Sequence, residues 1–133
     1  MRSRNVHWLP TVAGVSLVPG PIELSIADLR AGSPADWSHL DQAKVNTFVR
    51  LLASLPPVVV FRTERGLLLV DGYHRVEAAL RAGRVTVPAV VIEGSTGEAL
   101  RHAARVGAVE MGVSEDEALR RILTRYSPPQ ADR

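Results

Sequence analysis

The sequence predicts one domain of the α+β class, in which a small mixed sheet is packed by helices and followed by a C-terminal helical pair. Three observations predict this class. Short β-branched or leucine-rich runs alternate with segments of helical periodicity. Glycine, proline and serine separate these segments at short intervals. The 133 residues are enough for one packed core and too few for two full domains.

The first predicted strand comes from the alternation of Ile22, Leu24 and Ile26 with polar residues. A loop is expected over 30–37, because this stretch contains glycine, serine and proline.

The first predicted helix begins at Ser38, since Asp41 three residues later completes an acidic variant of the capping box. It is expected to end at the Leu-Pro-Pro of 55–57. Four apolar residues at spacings of three and four give this helix one buried stripe: Val45, Phe48, Val49 and Leu52.

A hairpin is predicted next, with arms at 58–61 and 67–70 and a turn that contains Gly66. A short helix follows from Tyr73 and ends at Gly83, in the position of a C′ glycine.

The last three predicted elements are a strand and two helices. The strand covers 87–92, and a capping box of Ser95 with Glu98 predicts a helix to about Val106. Ser114 and Glu117 repeat the box and predict a helix that ends near Tyr126. The chain is thus divided into an N-terminal extension (1–20), a core (21–94), C-terminal helices (95–126) and a disordered tail (127–133).

Composition excludes several classes of function. The 16 basic and 14 acidic residues give a net charge of +2, too low for a nucleic-acid coat. The sequence has no cysteine, which excludes disulfides, thiolate nucleophiles and zinc fingers. Aromatic residues make up 5%, too few for base-stacking platforms. No apolar run approaches the ~18 residues of a membrane span, so we expect a cytoplasmic protein that does not contact membranes.

The chemistry is concentrated where the second hairpin arm runs through Asp71 and Gly72 into a helix with His74 and Arg75 in its first turn. Backbone N–H groups at a helix start attract anions, glycine leaves room for a phosphate, and a guanidinium can bind two phosphate oxygens. A second interpretation stays open, in which Arg75 pairs with a carboxylate such as Glu77.

Three segments resemble motifs of the ParB and sulfiredoxin superfamily and occur in the same order along the chain. They are Leu-Asp-Gln-Ala-Lys-Val-Asn-Thr at 40–47, Pro-Pro-Val-Val-Val at 56–60, and Asp-Gly-Tyr-His-Arg-x-x-Ala at 71–78. The resemblance covers about residues 20–93. It is strongest with the ParB-like domain of streptomycin-type antibiotic-cluster regulators, and it implies a ParB/sulfiredoxin-like fold that binds a nucleotide.

Two departures restrict what the resemblance implies. Tyr73 stands where sulfiredoxins have a reactive cysteine, so sulfinic acid reduction is excluded. The Glu-Asn-x-x-Arg box of partition proteins is missing, and Val106 to Met111 occupies its place. In the proteins that this sequence resembles, a helix-turn-helix reads DNA. It would begin near the last predicted helix, where this sequence stops, so we do not expect specific DNA binding by this chain alone.

The resemblance implies CTP or ATP with Mg²⁺ as the ligand. Gly72, Tyr73, His74 and Arg75 would hold the triphosphate, with Lys44 and Thr47 reaching it from the opposite helix. Asp41 would start that helix or contact the ribose or base, and Asp71 would hold Mg²⁺. His74 is expected to donate a hydrogen bond to phosphate, and no catalytic residue is assigned.

Two functions follow from this site. The first is a nucleotide-dependent switch or slow NTPase in regulation of transcription, acting on a protein partner or as a homodimer. The second is a small-molecule kinase of the free amino acid type, which would need a carboxylate base. A nuclease would need paired carboxylates, which the sequence does not cluster. Three arginines of the last helix, Arg120, Arg121 and Arg125, are interpreted as a solvated face.

Overall fold

The computed structural model describes residues 11–12, 15–16, 20–32 and 40–125. A two-stranded ladder pairs β1 (Thr11–Val12) with β2 (Val15–Ser16). The main sheet holds β3 (Ile22–Ser25), β4 (Val58–Thr63), β5 (Gly66–Asp71) and β6 (Thr86–Glu93). The helices are α1 (Ile26–Gly32), α2 (Gln42–Arg50), α3 (Tyr73–Arg81), α4 (Thr96–Met111) and α5 (Glu115–Arg125).

The main sheet is mixed, with strand order β3-β6-β4-β5. Strands β4 and β5 form the predicted antiparallel hairpin, and β3 pairs with β6 antiparallel. Strand β6 returns parallel to β4, with Val60 opposite Val91. A parallel return needs a crossover, which α3 supplies.

Side chains alternate between the two faces of the sheet along each strand, and helices cover both faces. Val58, Val60 and Leu69 lie in one apolar cluster with residues of α1 and α3. Phe61, Leu68 and Val70 face the other way, against Ala99 and Ala103 of α4. A third cluster of Ala104, Ala108 and Ala118 joins α4 to α5. The predicted α+β class, with a mixed sheet packed by helices and a C-terminal helical pair, is confirmed.

The prediction that the first strand reaches Ile26 is wrong, as is the predicted loop over residues 30–32, whereas residues 33–37 of that loop lie outside the described residues. The strand ends at Ser25, whose Oγ accepts the N–H of Asp28 at 3.2 Å, and α1 runs from Ile26 through Gly32. Ile26 and Leu29 are both buried, so they form a helical i, i+3 pair. The alternation at 22–26 looked like a continuing strand because Ile26 is apolar in either structure.

Helix α2 begins and ends at other residues than predicted. Asp41 is the N-cap, and its Oδ1 accepts the N–H of Ala43 at 3.0 Å and of Lys44 at 3.3 Å. Ser38, the predicted start, lies outside the described residues. The α-helix ends at Arg50, and a 3₁₀ turn over Leu52–Ser54 leads to the prolines.

Helix α4 is longer than predicted. Its capping box at Ser95 and Glu98 is confirmed, but the helix passes Val106 and ends at Met111, with Gly112 as a left-handed C-cap. Gly107 lies inside the helix, where glycine is tolerated at a modest cost. The predicted tail and most of the predicted N-terminal extension lie outside the described residues. No helix in the described ranges combines the length and apolar character that crossing a membrane needs.

The buried side chains of β5 are expected to carry much of the stability. Leu69→Ala removes a side chain that is 0% exposed, so we expect a loss of about 2–5 kcal/mol in the free energy of unfolding. Leu123→Ala is the matched control, because Leu123 is 50% exposed and its loss is expected to be about 0.5 kcal/mol or less. Urea unfolding measures both, and equal losses would contradict the described packing.

Candidate functional site

The loop between β5 and α3 allows only glycine at position 72. Gly72 has φ 116° and ψ 27°, a region that residues with a Cβ rarely adopt. A Cβ built on Gly72 would lie 2.5 Å from Cγ1 of Val58. Gly72 is also the N-cap of α3 and supplies no side-chain hydrogen bond to the helix. No capping side chain therefore covers the backbone N–H groups at the start of α3.

The Arg75 guanidinium joins this loop to the proline segment, which consists of Leu55, Pro56 and Pro57 and leads into β4. Its Nη1 donates to the carbonyl oxygens of Pro56 at 3.0 Å and Pro57 at 2.8 Å. Its Nη2 donates to Oδ1 of Asp71 at 3.1 Å. The alternative interpretation, in which Arg75 pairs with a carboxylate, is confirmed, but the partner is Asp71 and not Glu77. The Arg75 side chain is 14% exposed, so the guanidinium is held in place and partly desolvated.

His74 connects α3 to the start of α2. Its Nε2 accepts the backbone N–H of Asp41 at 3.1 Å, which places the ring hydrogen of neutral His74 on Nδ1. Burial lowers the pKa of His74 below its ordinary 6.5, and the Lys44 charge lowers it further, while Glu110 and Asp41 act in the opposite direction. In this arrangement Nε2 is an acceptor, so only Nδ1 could serve as the expected donor to phosphate.

Lys44 projects from α2 toward α4. Its Nζ lies 3.9 Å from Oε2 of Glu110 and 5.7 Å from the centre of the Phe48 ring. Both charged side chains are well exposed, so this ion pair is weak. The lone lysine of the chain is thus available to another anion at little cost.

These elements enclose a cleft of about 490 Å³, within the range of ~300–1,000 Å³ typical of small-molecule sites. Six of the predicted site residues line it: Lys44, Asp71, Gly72, Tyr73, His74 and Arg75. The rest of the wall is mainly apolar and comes from Leu40, α2, the proline segment, β5, α4 and α5: Leu40, Phe48, Leu55, Pro56, Val70, Ala103, Val106, Gly107, Met111 and Ile122. The cleft therefore combines charged side chains with a mainly apolar wall.

Two predicted site residues do not line this cleft. The carboxylate of Asp41 caps α2, and its backbone N–H is bound to His74. Thr47 is exposed, and its hydroxyl donates to the carbonyl oxygen of Ala43 at 3.1 Å. Thr47 follows Lys44 by three positions, about 60° around the helix axis, and is exposed outside the cleft lining. Nucleotide contacts by Asp41 and Thr47 stay predictions that this cleft does not favour.

Tyr73 uses its side chain in the fold. Its hydroxyl donates to the carbonyl oxygen of Leu69 at 2.8 Å, and its ring packs against the cluster under β4 and β5. Only the backbone of Tyr73 is therefore well placed for the predicted anion contact.

Sequence reasoning missed two charged residues of the cleft, Glu110 and Arg121. Arg121 Nε donates to Oε2 of Glu117 at 3.0 Å, and its Nη1 lies 3.5 Å from the Met111 sulfur. Arg121 is 45% exposed and Arg120 is 69% exposed, which agrees with the interpretation of a solvated face for these two residues. Arg121 lines the cleft in addition. The spacing of Glu117 and Arg121 predicts an ion pair, but nothing local indicates that α5 reaches the cleft.

The carboxylate of Asp71 is the predicted magnesium ligand. The described residues contain no group of three or more His, Cys, Asp or Glu side chains that could hold a metal by themselves. Mg²⁺ beside phosphates usually takes one or two protein carboxylates and fills its other positions with phosphate oxygens and water. Asp71 at the cleft fits that role, although Arg75 already binds one of its oxygens.

Substitution of Gly72 tests its close approach to Val58. Gly72→Ala combines a strained backbone with a steric clash, whereas Gly83→Ala has φ 85° and no atom within 4 Å of the new Cβ. We expect Gly72→Ala to lower the free energy of unfolding by at least about 1 kcal/mol more than Gly83→Ala does. Chemical denaturation measures the difference, and equal losses would show that Val58 leaves room at position 72.

Burial of His74, with the nearby Lys44 charge, predicts a pH dependence of the stability. The folded-state pKa of His74 lies below the unfolded value of 6.5, so the stabilisation is complete above pH 6.5 and is lost as the pH falls through the folded pKa. NMR titration should give His74 a pKa below 6.5. The pKa of His102 is also lowered by burial, so His74→Gln and His102→Gln are compared. Loss of stability between pH 7 and 5 that is unchanged in His74→Gln would contradict the prediction.

The fold is similar to that of sulfiredoxin from Arabidopsis thaliana, with a TM-score of 0.54 and 26% identity over 64% of this chain and 97% of sulfiredoxin. It is also similar to the C-terminally truncated chromosome-partitioning protein ParB from Caulobacter crescentus, solved with CTP-γ-S, with a TM-score of 0.50 and 23% identity. That match covers 69% of this chain and 52% of the ParB chain, so this chain spans about half of it.

The predicted ParB/sulfiredoxin-like fold is confirmed by these neighbours, whereas the resemblance to streptomycin-type regulators stays a prediction. No curated protein matches the sequence. The model of the ParB N-terminal domain family matches residues 16–105, more than half of the chain. The chain therefore belongs to the ParB N-terminal domain family.

Proposed function

We propose that the cleft binds a nucleoside triphosphate, CTP or ATP, together with Mg²⁺. The observation that carries the proposal is that Lys44, Arg75 and the uncapped start of α3 line one cleft, whose remaining wall is mainly apolar. A triphosphate needs cations and backbone donors, whereas a base and ribose need a mainly apolar wall. The ParB of Caulobacter crescentus was solved with CTP-γ-S, which supports a nucleotide on the same fold.

The donors of Arg75 are only partly used by the protein. A guanidinium has five N–H donors, and the contacts to Pro56, Pro57 and Asp71 occupy three of them. Among the contacts of the described residues, Nε and one hydrogen of Nη2 are left for phosphate oxygens. Because its carbonyl partners fix the guanidinium before any ligand binds, little side-chain entropy is lost on binding.

Lys44 would contribute a point charge from the other side of the cleft. Its weak pairing with Glu110 would be replaced by the stronger attraction of a phosphate group. Asp71 would hold Mg²⁺ between the triphosphate and the protein, and the metal would neutralise phosphate charge that Asp71 and Glu110 would otherwise repel.

In this proposal the bound nucleotide acts as a switch, with or without slow hydrolysis, and the occupied state is recognised by a protein partner or a second copy of the chain.

Calorimetric titration of CTP, ATP, GTP and ADP with Mg²⁺ tests the proposal. We expect CTP or ATP to bind, and Arg75→Ala and Lys44→Ala each to weaken binding about 10- to 100-fold through loss of a charge-assisted contact. Arg84→Ala is the matched control, since Arg84 is exposed and does not line the cleft. Arg75→Ala also loses the contacts with Pro56 and Pro57 and could fail to fold. In that case the affinity of Lys44→Ala alone tests the proposal.

The absence of binding by any of the four nucleotides would overturn the proposal and leave the fold as a scaffold for protein contacts. If a triphosphate binds, measurement of phosphate release separates a switch from an NTPase. Release that depends on an added hydroxyl compound would instead favour the kinase.

A further inference from the structure

Helix α2 is attached to the protein along two opposite flanks. Gln42 and Asn46 lie one turn apart on the flank that faces α3, and Lys44 lies between them in sequence. At 3.6 residues per turn, Lys44 projects about 180° from the mean direction of that pair. The flank that carries Lys44 faces the cleft, with Phe48 beside it.

The flank facing α3 is held by one guanidinium. Arg81 Nη1 donates to Oδ1 of Asn46 at 3.1 Å, and its Nη2 donates to Oε1 of Gln42. The Arg81 side chain thus binds two successive turns of α2 through its planar, rigid end. Arg81 does not line the cleft.

Arg81 is itself oriented by a carboxylate that is largely withdrawn from solvent. Oε2 of Glu77 lies 3.6 Å from Arg81 Nη2, and its Oε1 accepts from Arg30 Nη1 at 2.6 Å. The Glu77 side chain is 17% exposed, so these pairs are less screened by water than surface ion pairs. One carboxylate therefore connects α1 and α3 and directs Arg81 at α2.

The remaining attachments of α2 are apolar packing and one hydrogen bond at its start. Val45 is fully buried, and Phe48 and Val49 are half-buried. The N–H of Asp41 is bound to His74 at the helix start and fixes that end only. Rotation of α2 about its axis would move Lys44 along or out of the cleft, and the two bonds from Arg81 oppose it.

We propose that Arg81 is a positioning residue for the proposed nucleotide site, and that it acts by setting the rotation of α2 and hence the direction of Lys44. This inference rests on the proposed function, because its consequence is measured as nucleotide affinity. Arg81 would contribute to affinity without touching the ligand, and its whole contribution would pass through Lys44.

A double-mutant cycle tests the inference with CTP and ATP in the presence of Mg²⁺. Arg81→Ala should weaken binding of the triphosphate about 3- to 30-fold in the wild-type background and should have almost no effect in the Lys44→Ala background. Arg84→Ala removes the same charge just beyond α3 and should change affinity less than twofold.

Two further variants separate positioning from other roles. Arg81→Lys keeps the charge but not the two-donor planar group, so it should not restore affinity; full recovery would show a simple charge effect and overturn the inference. The combined variant Gln42→Ala/Asn46→Ala leaves Arg81 in place and removes its partners on α2, both exposed. It should weaken binding as Arg81→Ala does, and it replaces Arg81→Ala if that variant does not fold.

The two proposals fail in distinguishable ways. If wild-type protein binds no triphosphate, the proposed function fails and the inference fails with it. If wild-type protein binds and Lys44→Ala binds weakly, but Arg81→Ala matches Arg84→Ala or its effect adds in full to that of Lys44→Ala, only the inference on Arg81 is overturned.

Discussion

The start of α3 lies so close to β4 that position 72 has room for a hydrogen and no carbon, and the rest of the site depends on that approach. Because Val58 is 2.5 Å from the place where a Cβ would be, the helix begins directly against the end of the proline segment. That proximity brings the Arg75 guanidinium within reach of the Pro56 and Pro57 carbonyl groups. The close approach of Gly72 to Val58 therefore also fixes the direction of the Arg75 guanidinium in the cleft.

The site in its present state balances its own charges. Arg75 binds Asp71 and two carbonyl groups, Lys44 lies near Glu110, and Arg121 binds Glu117. A ligand with several negative charges would compete with each of these contacts to a different degree. The contacts of Arg75 are short and little exposed, whereas that of Lys44 is long and well exposed. Lys44 is thus the cation that changes partner at the lowest cost.

The sequence predicted what is encoded locally. The strand, glycine and helix at 67–81 are consecutive in the chain, so their order alone placed Asp71, Gly72, His74 and Arg75 together. Helix α1 was missed because an apolar residue at 26 suits a strand and a helix equally. Glu110 and Arg121 were missed because their position depends on how α4 and α5 pack, through alanines far apart in sequence. The contacts of Arg75 with the proline carbonyl groups and of His74 with Asp41 could not be predicted either. They depend on how the proline segment and α2 pack against α3, which is distant from both in sequence.

The contribution of α5 to the cleft wall links ligand binding to the order of protein synthesis. The four-stranded sheet is complete once residue 93 has been added, but Arg121 and Ile122 of the wall come almost thirty residues later. Because the hairpin and the glycine loop lie wholly within residues 58–81, a chain whose α5 has not docked would have both of them and would lack part of the cleft wall. Any molecule that binds there stabilises the docked helical pair by mass action, and it does so only after the sheet has formed.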